Sequence, residues 1–207
     1  MSEPSYDPVT YPPAPWDMVG SLWLSLFRVR EAVDQLRPAG VYGAAFVHYE
    51  EGSPLTYSEL LVAHPVRSEE HGRRVSITDI WVDSPASVAG GRELWAIPKD
   101  LCDFTFESTR SGPLSRARWS AGREQRPIAG ARFTDVSRAA PRLRFKGGTW
   151  QPGIDGGEDK TATLKGSAKT LPCRGVWEFD AQGPLGWLAG RRPIASFRQS
   201  AFRMSFG

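Results

Sequence analysis

The chain has 207 residues, is 40% hydrophobic and carries a formal net charge of +3. That length suffices for one domain with a real core, and basic residues scattered without a Lys/Arg-rich run argue against a nucleic-acid partner. No stretch approaches the ~20 apolar residues of a membrane span. The N-terminus lacks the basic and apolar regions of a signal peptide, and Cys102 and Cys173 form neither a metal spacing nor a disulfide framework, so a reducing cytoplasm is the expected location.

Residues 1–15 carry five prolines and predict an extended arm ahead of a single domain over 16–207. "SLWLSLFRV" (21–29) has strand composition. "REAVDQL" (30–36) predicts a short helix from the spacing of Ala32, Val33 and Leu36, stopped by Pro38 and Gly40. Strands are predicted at 41–52, 57–66 and 73–83.

Ser84 can cap a second helix whose first position suits Pro85, running to about Trp95 and ended by Pro98. Gly90 and Gly91 weaken that helix by roughly 1 kcal/mol each, which predicts close packing or backbone approach there. The remainder has an all-β rhythm of short segments ("DFTFES", "LSRARWSA", "ARFTDVSR", "PRLRFKGG", "TATLKGSAKT", "GVWEFD", "SFRQSAFRMSFG"), with a glycine-rich loop at 146–161. The fold expected is mainly β with some α, a closed or nearly closed barrel or sandwich.

No phosphate loop, dinucleotide fingerprint, nucleophile elbow or zinc spacing is present. His48, His64 and His71 do not share a helical face, so no metal site is predicted. Lys99 is the sharper candidate, one of only five lysines among 26 basic residues. An amine attacks a carbonyl only when unprotonated, and burial lowers a lysine pKa by penalising the charge. Leu94, Trp95, Ile97 and Leu101 supply apolar neighbours in sequence; the bland alternative is a surface lysine at a helix end. Glu59, entering an apolar strand, needs a partner or a function; its alternative is a solvent-facing strand end. Glu93 lies six residues before Lys99 and either faces the same cavity or pairs with Arg92.

"YPPAPW" (11–16), "TYSELL" (56–61) and above all "GGRELWAIPK" (90–99) resemble the acetoacetate decarboxylase family, in the right order and over roughly residues 11–207. The resemblance implies a cone-like β-barrel of antiparallel strands with a few short flanking helices, and a homo-oligomer. It also implies that Lys99 forms a Schiff base with a ketone or keto acid and that the family glutamate falls on Glu59, which would shuttle protons or position water. No metal or organic cofactor is expected, because the iminium withdraws the electrons.

Two departures stand out. The family's second lysine is Asp100 here, whose carboxylate would raise the Lys99 pKa if it lay close. An early arginine that would hold a substrate carboxylate is missing near Val19 and Gly20. A pocket lined by Tyr57, Trp81, Trp95 and Glu93 would suit a bulkier or less acidic carbonyl compound. The expected function is a Schiff-base lyase performing decarboxylation or aldol condensation with dehydration. The alternative is a binding or cyclase-type protein that holds an aromatic or polyketide-like molecule in the same barrel.

Overall fold

Residues 9–68, 70–111, 114–136 and 139–207 are described by the structure, a computed structural model of the chain. In chain order the elements are β1 (Trp16–Val29), β2 (Gly40–Tyr49), β3 (Tyr57–Ser68), β4 (Gly72–Val82), α1 (Pro85–Trp95), β5 (Asp100–Leu101), β6 (Asp103–Ser111), β7 (Leu114–Arg123), β8 (Arg126–Asp135), β9 (Arg142–Gln151), β10 (Lys160–Phe179) and β11 (Ala195–Phe206). One-turn 3-10 segments cover Ile154–Gly156 and Gly186–Leu188. Among the described residues no helix is long and apolar enough to cross a membrane.

The strand order runs β11-β1-β2-β3-β4-β9-β10, and β10 also pairs with β11. Hydrogen bonding therefore follows a ring of seven strands, consistent with the expected cone-like β fold. Not every pair is antiparallel: β4 meets β5 and β9 in parallel. The β4–β9 seam has one backbone partnership, Val75 with Thr149. Buried Gln151 completes it, because its side-chain amide accepts from Ile77 N at 2.7 Å and donates to Ile77 O at 2.9 Å, as a strand backbone would.

The 20-residue β10 links this ring to a second sheet, since Cys173–Phe179 pair with β8, which continues into β7 and β6. "TATLKGSAKT" and "GVWEFD" are thus one strand. Pro172 does not break it because it sits where β10 leaves β11 for β8, so its missing N–H interrupts no ladder.

Alternation along the strands divides the apolar residues between two cores. One cluster draws on all seven ring strands and on α1, including Met18, Val47, Tyr57, Val82, Trp95, Ala162 and Phe202, and so fills the inside of the ring. The other lies outside, between the ring and the second sheet. There Phe106, Trp119, Phe46, Trp177 and Phe179 form a continuous column of stacked rings, with centroids 4.2–5.2 Å apart. Cys102 and Cys173 are free thiols buried in this outer core, where burial pushes each up to about 12.

Two local expectations fail. Residues 30–36 are not helical. The Asp34 carboxylate accepts from Leu36 N and Arg37 N, closing a turn in place of helical bonds. Arg37 bridges Asp34, through Nη1 (2.5 Å), and buried Asp79, through Nε (3.1 Å) and Nη2 (2.6 Å), while Val33 and Leu36 are exposed. The loop expected at 146–161 is also shorter, because Lys146–Gln151 stay in β9, paired with β10. Most of the N-terminal arm (1–8) lies outside the described residues. Tyr11 packs on Gly90, and the Trp16 indole donates to the Pro12 carbonyl at 2.8 Å.

Candidate active site

The period of two in β3 turns Tyr57 and Glu59 to the inside of the ring, and Tyr49 stands opposite Tyr57 on β2. Next comes α1. Ser84 caps it as the sequence predicts, its hydroxyl accepting from Ser87 N at 3.2 Å, with Pro85 in the first turn. This cap buries Ser87 fully, against the ring interior.

The helix ends on Ala96, in the left-handed region at φ 52°, two residues before Pro98. Ala96 N donates to Arg92 O and Ile97 N to Gly91 O, which reverses the chain. Lys99 then folds back across Gly91, where an added Cβ would lie 2.7 Å from its Cδ. Gly90 gives the same clearance to the Trp16 ring. The two glycines are therefore needed for close packing, as predicted.

Lys99 is 5% exposed. Its Nζ donates to Ser87 Oγ at 2.9 Å, to Glu59 Oε2 at 3.0 Å and to Tyr57 OH at 3.2 Å. Those three acceptors satisfy the three N–H bonds of an ammonium. Tyr49 OH donates to the other oxygen of Glu59 at 3.2 Å.

The depressed lysine pKa expected from burial is not found. Burial is the largest influence on Lys99 and does push its pKa down. Glu59 and Tyr57 push it up by more, and the net direction is above 10.5. Lys99 therefore rests as an ammonium beside Glu59. Burial raises Tyr57, partly offset by Lys99, and burial with Glu59 raises Tyr49 well above the ordinary phenol value, so both phenols keep their protons. Asp100 takes no part: it is exposed and accepts from Arg123 Nη1 at 2.6 Å, while Lys99 points inward.

The structure does not bring all the expected pocket residues together. Trp81 pairs in register with Leu60, not Glu59, and belongs to the outer core on the opposite face. Trp95 shares the inner cluster but packs edge-on against Trp16 and Phe206. Glu93 is exposed beside Tyr11, and its backbone carbonyl accepts from Lys160 Nζ. Lys99 lines none of three cavities of about 570, 610 and 790 Å³. Ser87 and Tyr49 were missed by sequence reasoning. A serine three residues after a helix cap and a tyrosine facing Tyr57 carry a signal only once the cap and register are known. No group of three metal-ligating side chains occurs among the described residues.

Residues 29–165 match the acetoacetate decarboxylase family model, more than half of the chain. No curated protein is significantly similar in sequence. Among solved structures, acetoacetate decarboxylase from Legionella pneumophila is 15% identical with a TM-score of 0.65, over 99% of this chain and 89% of that one. The enduracididine biosynthesis enzyme MppR, complexed with the condensation product of pyruvate and imidazole 4-carboxaldehyde, is 16% identical with a TM-score of 0.66, over 99% and 96%. An acetoacetate decarboxylase-like enzyme from Sphingomonas wittichii is 14% identical with a TM-score of 0.60, over 94% and 91%.

Proposed function

The chain belongs to the acetoacetate decarboxylase family, and on that premise we propose that it is a Schiff-base-forming lyase for a ketone or β-keto acid, with Lys99 as nucleophile. The observation that carries this reading is the buried Lys99–Glu59 pair at 3.0 Å. A proton passing from Nζ to Glu59 leaves the neutral amine that addition requires; the transfer runs uphill, because Glu59 and Tyr57 favour the charged lysine by more than burial disfavours it.

The amine nitrogen then adds to the carbonyl carbon. The C–N bond forms and the carbonyl π electrons move to oxygen, which takes the proton held by Glu59. Glu59 removes a second proton from nitrogen and returns it to that oxygen, which departs as water while the C=N bond forms. Of the three ammonium protons, one stays on the iminium and two leave in water, so Glu59 ends as a carboxylate beside the new cation. Tyr57 and Tyr49, both protonated, hold Glu59 and the reacting nitrogen in place.

The iminium draws electrons from the adjacent carbon, so either loss of CO₂ or attack on a second carbonyl can follow. The MppR complex, with its condensation product, favours keeping carbon–carbon bond formation beside decarboxylation. Gly20, one of the two residues near the place of the missing carboxylate-holding arginine, has no room for a side chain, since a Cβ would sit 2.1 Å from His48 O. A weakly acidic or neutral carbonyl substrate suits this site better than acetoacetate. A second reading, a binding or cyclase-type protein for an aromatic or polyketide-like molecule, is favoured by the raised Lys99 pKa and its fully satisfied ammonium.

The test is turnover of a panel (acetone, acetoacetate, an aromatic β-keto acid, and pyruvate with an aromatic aldehyde) followed by NMR. Lys99→Met lowering the rate by about a hundredfold or more supports the lyase; undiminished turnover in that variant defeats it.

A further inference from the structure

The cations look scattered in the sequence, but the fold gathers several of them on one outward face. Along β9, Arg144 and Lys146 alternate with Phe145, which packs on the inner core, so both face outward. Lys146 stands directly opposite Lys165 on β10. Arg144 stands opposite Ser167, which in turn stands opposite Arg203 on β11. Like charges directly opposite across a ladder repel. Among the described residues none of these four cations has an ion-pair partner.

They border a shallow, open depression of about 790 Å³ that also carries Ser167 and Ser205 and, on its far side, one carboxylate, Asp17. Arg142 Nη1 donates to Ser167 Oγ at 3.1 Å, which uses that hydroxyl as an acceptor and leaves its O–H to donate outward. Strand spacing sets the frame. The two charge rows are roughly 7 Å apart along the strands, and β9 to β11 spans about 10 Å.

We propose that this depression is a binding site for a small soluble oligophosphate, a group with two or three linked phosphates. Guanidinium forks and lysine ammonium groups are the side chains that hold phosphate oxygens, and a donating hydroxyl lies between them. The frame is only about 10 Å across, which fits a short phosphate chain better than an extended nucleic-acid backbone. The site is separate from Lys99, which lies inside the ring.

The experiment is titration calorimetry of the full chain with sodium tripolyphosphate, repeated with pyrophosphate and with a single-stranded oligonucleotide. Wild-type protein should bind tripolyphosphate, and more weakly as NaCl rises from 50 to 300 mM. Lys165→Glu, which places a carboxylate opposite Lys146, should lose at least tenfold in affinity, with its ligand-free melting temperature equal to or above wild type. The preserved melting temperature separates lost binding from lost folding. No binding to wild type, equal binding to the variant, or an oligonucleotide bound tenfold tighter than tripolyphosphate would overturn the assignment.

Discussion

Glu59→Gln removes the charge that holds Lys99 as an ammonium while keeping the side chain's shape. In the native protein the two side chains are 5% and 4% exposed and 3.0 Å apart. Breaking such a buried pair by removing one partner costs about 3–5 kcal/mol at neutral pH, because the remaining charge is stranded. With Glu59 neutral, burial becomes the dominant influence, and the Lys99 pKa falls below 10.5.

The sign of the pH dependence then inverts. In wild type the folded pKa lies above the unfolded value, so the lysine's contribution is fully present below about pH 10.4 and is lost as pH rises through the folded pKa. In the variant the folded pKa lies below the unfolded one. Between the two values the unfolded chain binds more protons, and stability rises with pH by up to about 1.4 kcal/mol per pH unit. Urea unfolding followed by tryptophan fluorescence at pH 7, 8 and 9 reads this directly. The variant should start well below wild type and close the gap as pH rises. A gap under about 1 kcal/mol, or one of the same size at every pH, would refute the coupling.

Gly91→Ala should lower stability, because the added Cβ, 2.7 Å from Lys99 Cδ, displaces the buried stem and loosens its pair with Glu59 by more than the gain in helix propensity of about 1 kcal/mol offsets, and it should cut turnover at least tenfold. Steady-state rates beside a melting curve check it. Gln151→Leu should lower stability by about 1–3 kcal/mol for each of the two Ile77 groups left unpaired, measured as a shift of the urea midpoint. Asp100→Ala removes an exposed pair with Arg123 and should change stability by less than about 1 kcal/mol. It should also leave the pH profile of turnover unmoved, whereas a shifted profile would show that Asp100 senses Lys99.

Features written in local pattern were legible in the sequence. Ser84 and Pro85 marked the start of α1, Gly90 and Gly91 announced tight packing, and apolar strand composition marked β1 to β3, with alternation marking β4. The candidate pair Lys99 and Glu59 was singled out by the proline–lysine step and by a carboxylate entering an apolar strand. What depends on register stayed hidden. Trp81 looked like a pocket residue, but one step along β4 decides which face it serves, and it serves the outer core. The segment 30–36 has helical spacing, yet a single carboxylate, Asp34, captures two backbone N–H groups, and Arg37 reaches a distant Asp79. Burial of Lys99 was anticipated, but the sign of its pKa was not, because that sign depends on how near Glu59 comes in space.

The most direct measurement is peptide-resolved mass spectrometry after borohydride reduction of the protein with the carbonyl panel. Lys99 should carry the reduced substrate adduct, at a stoichiometry approaching one per chain, and the adduct should vanish in Lys99→Met. An actively turning-over protein whose Lys99 peptide stays unmodified with every carbonyl, or whose adduct maps to Lys146 or Lys165 instead, would contradict the account.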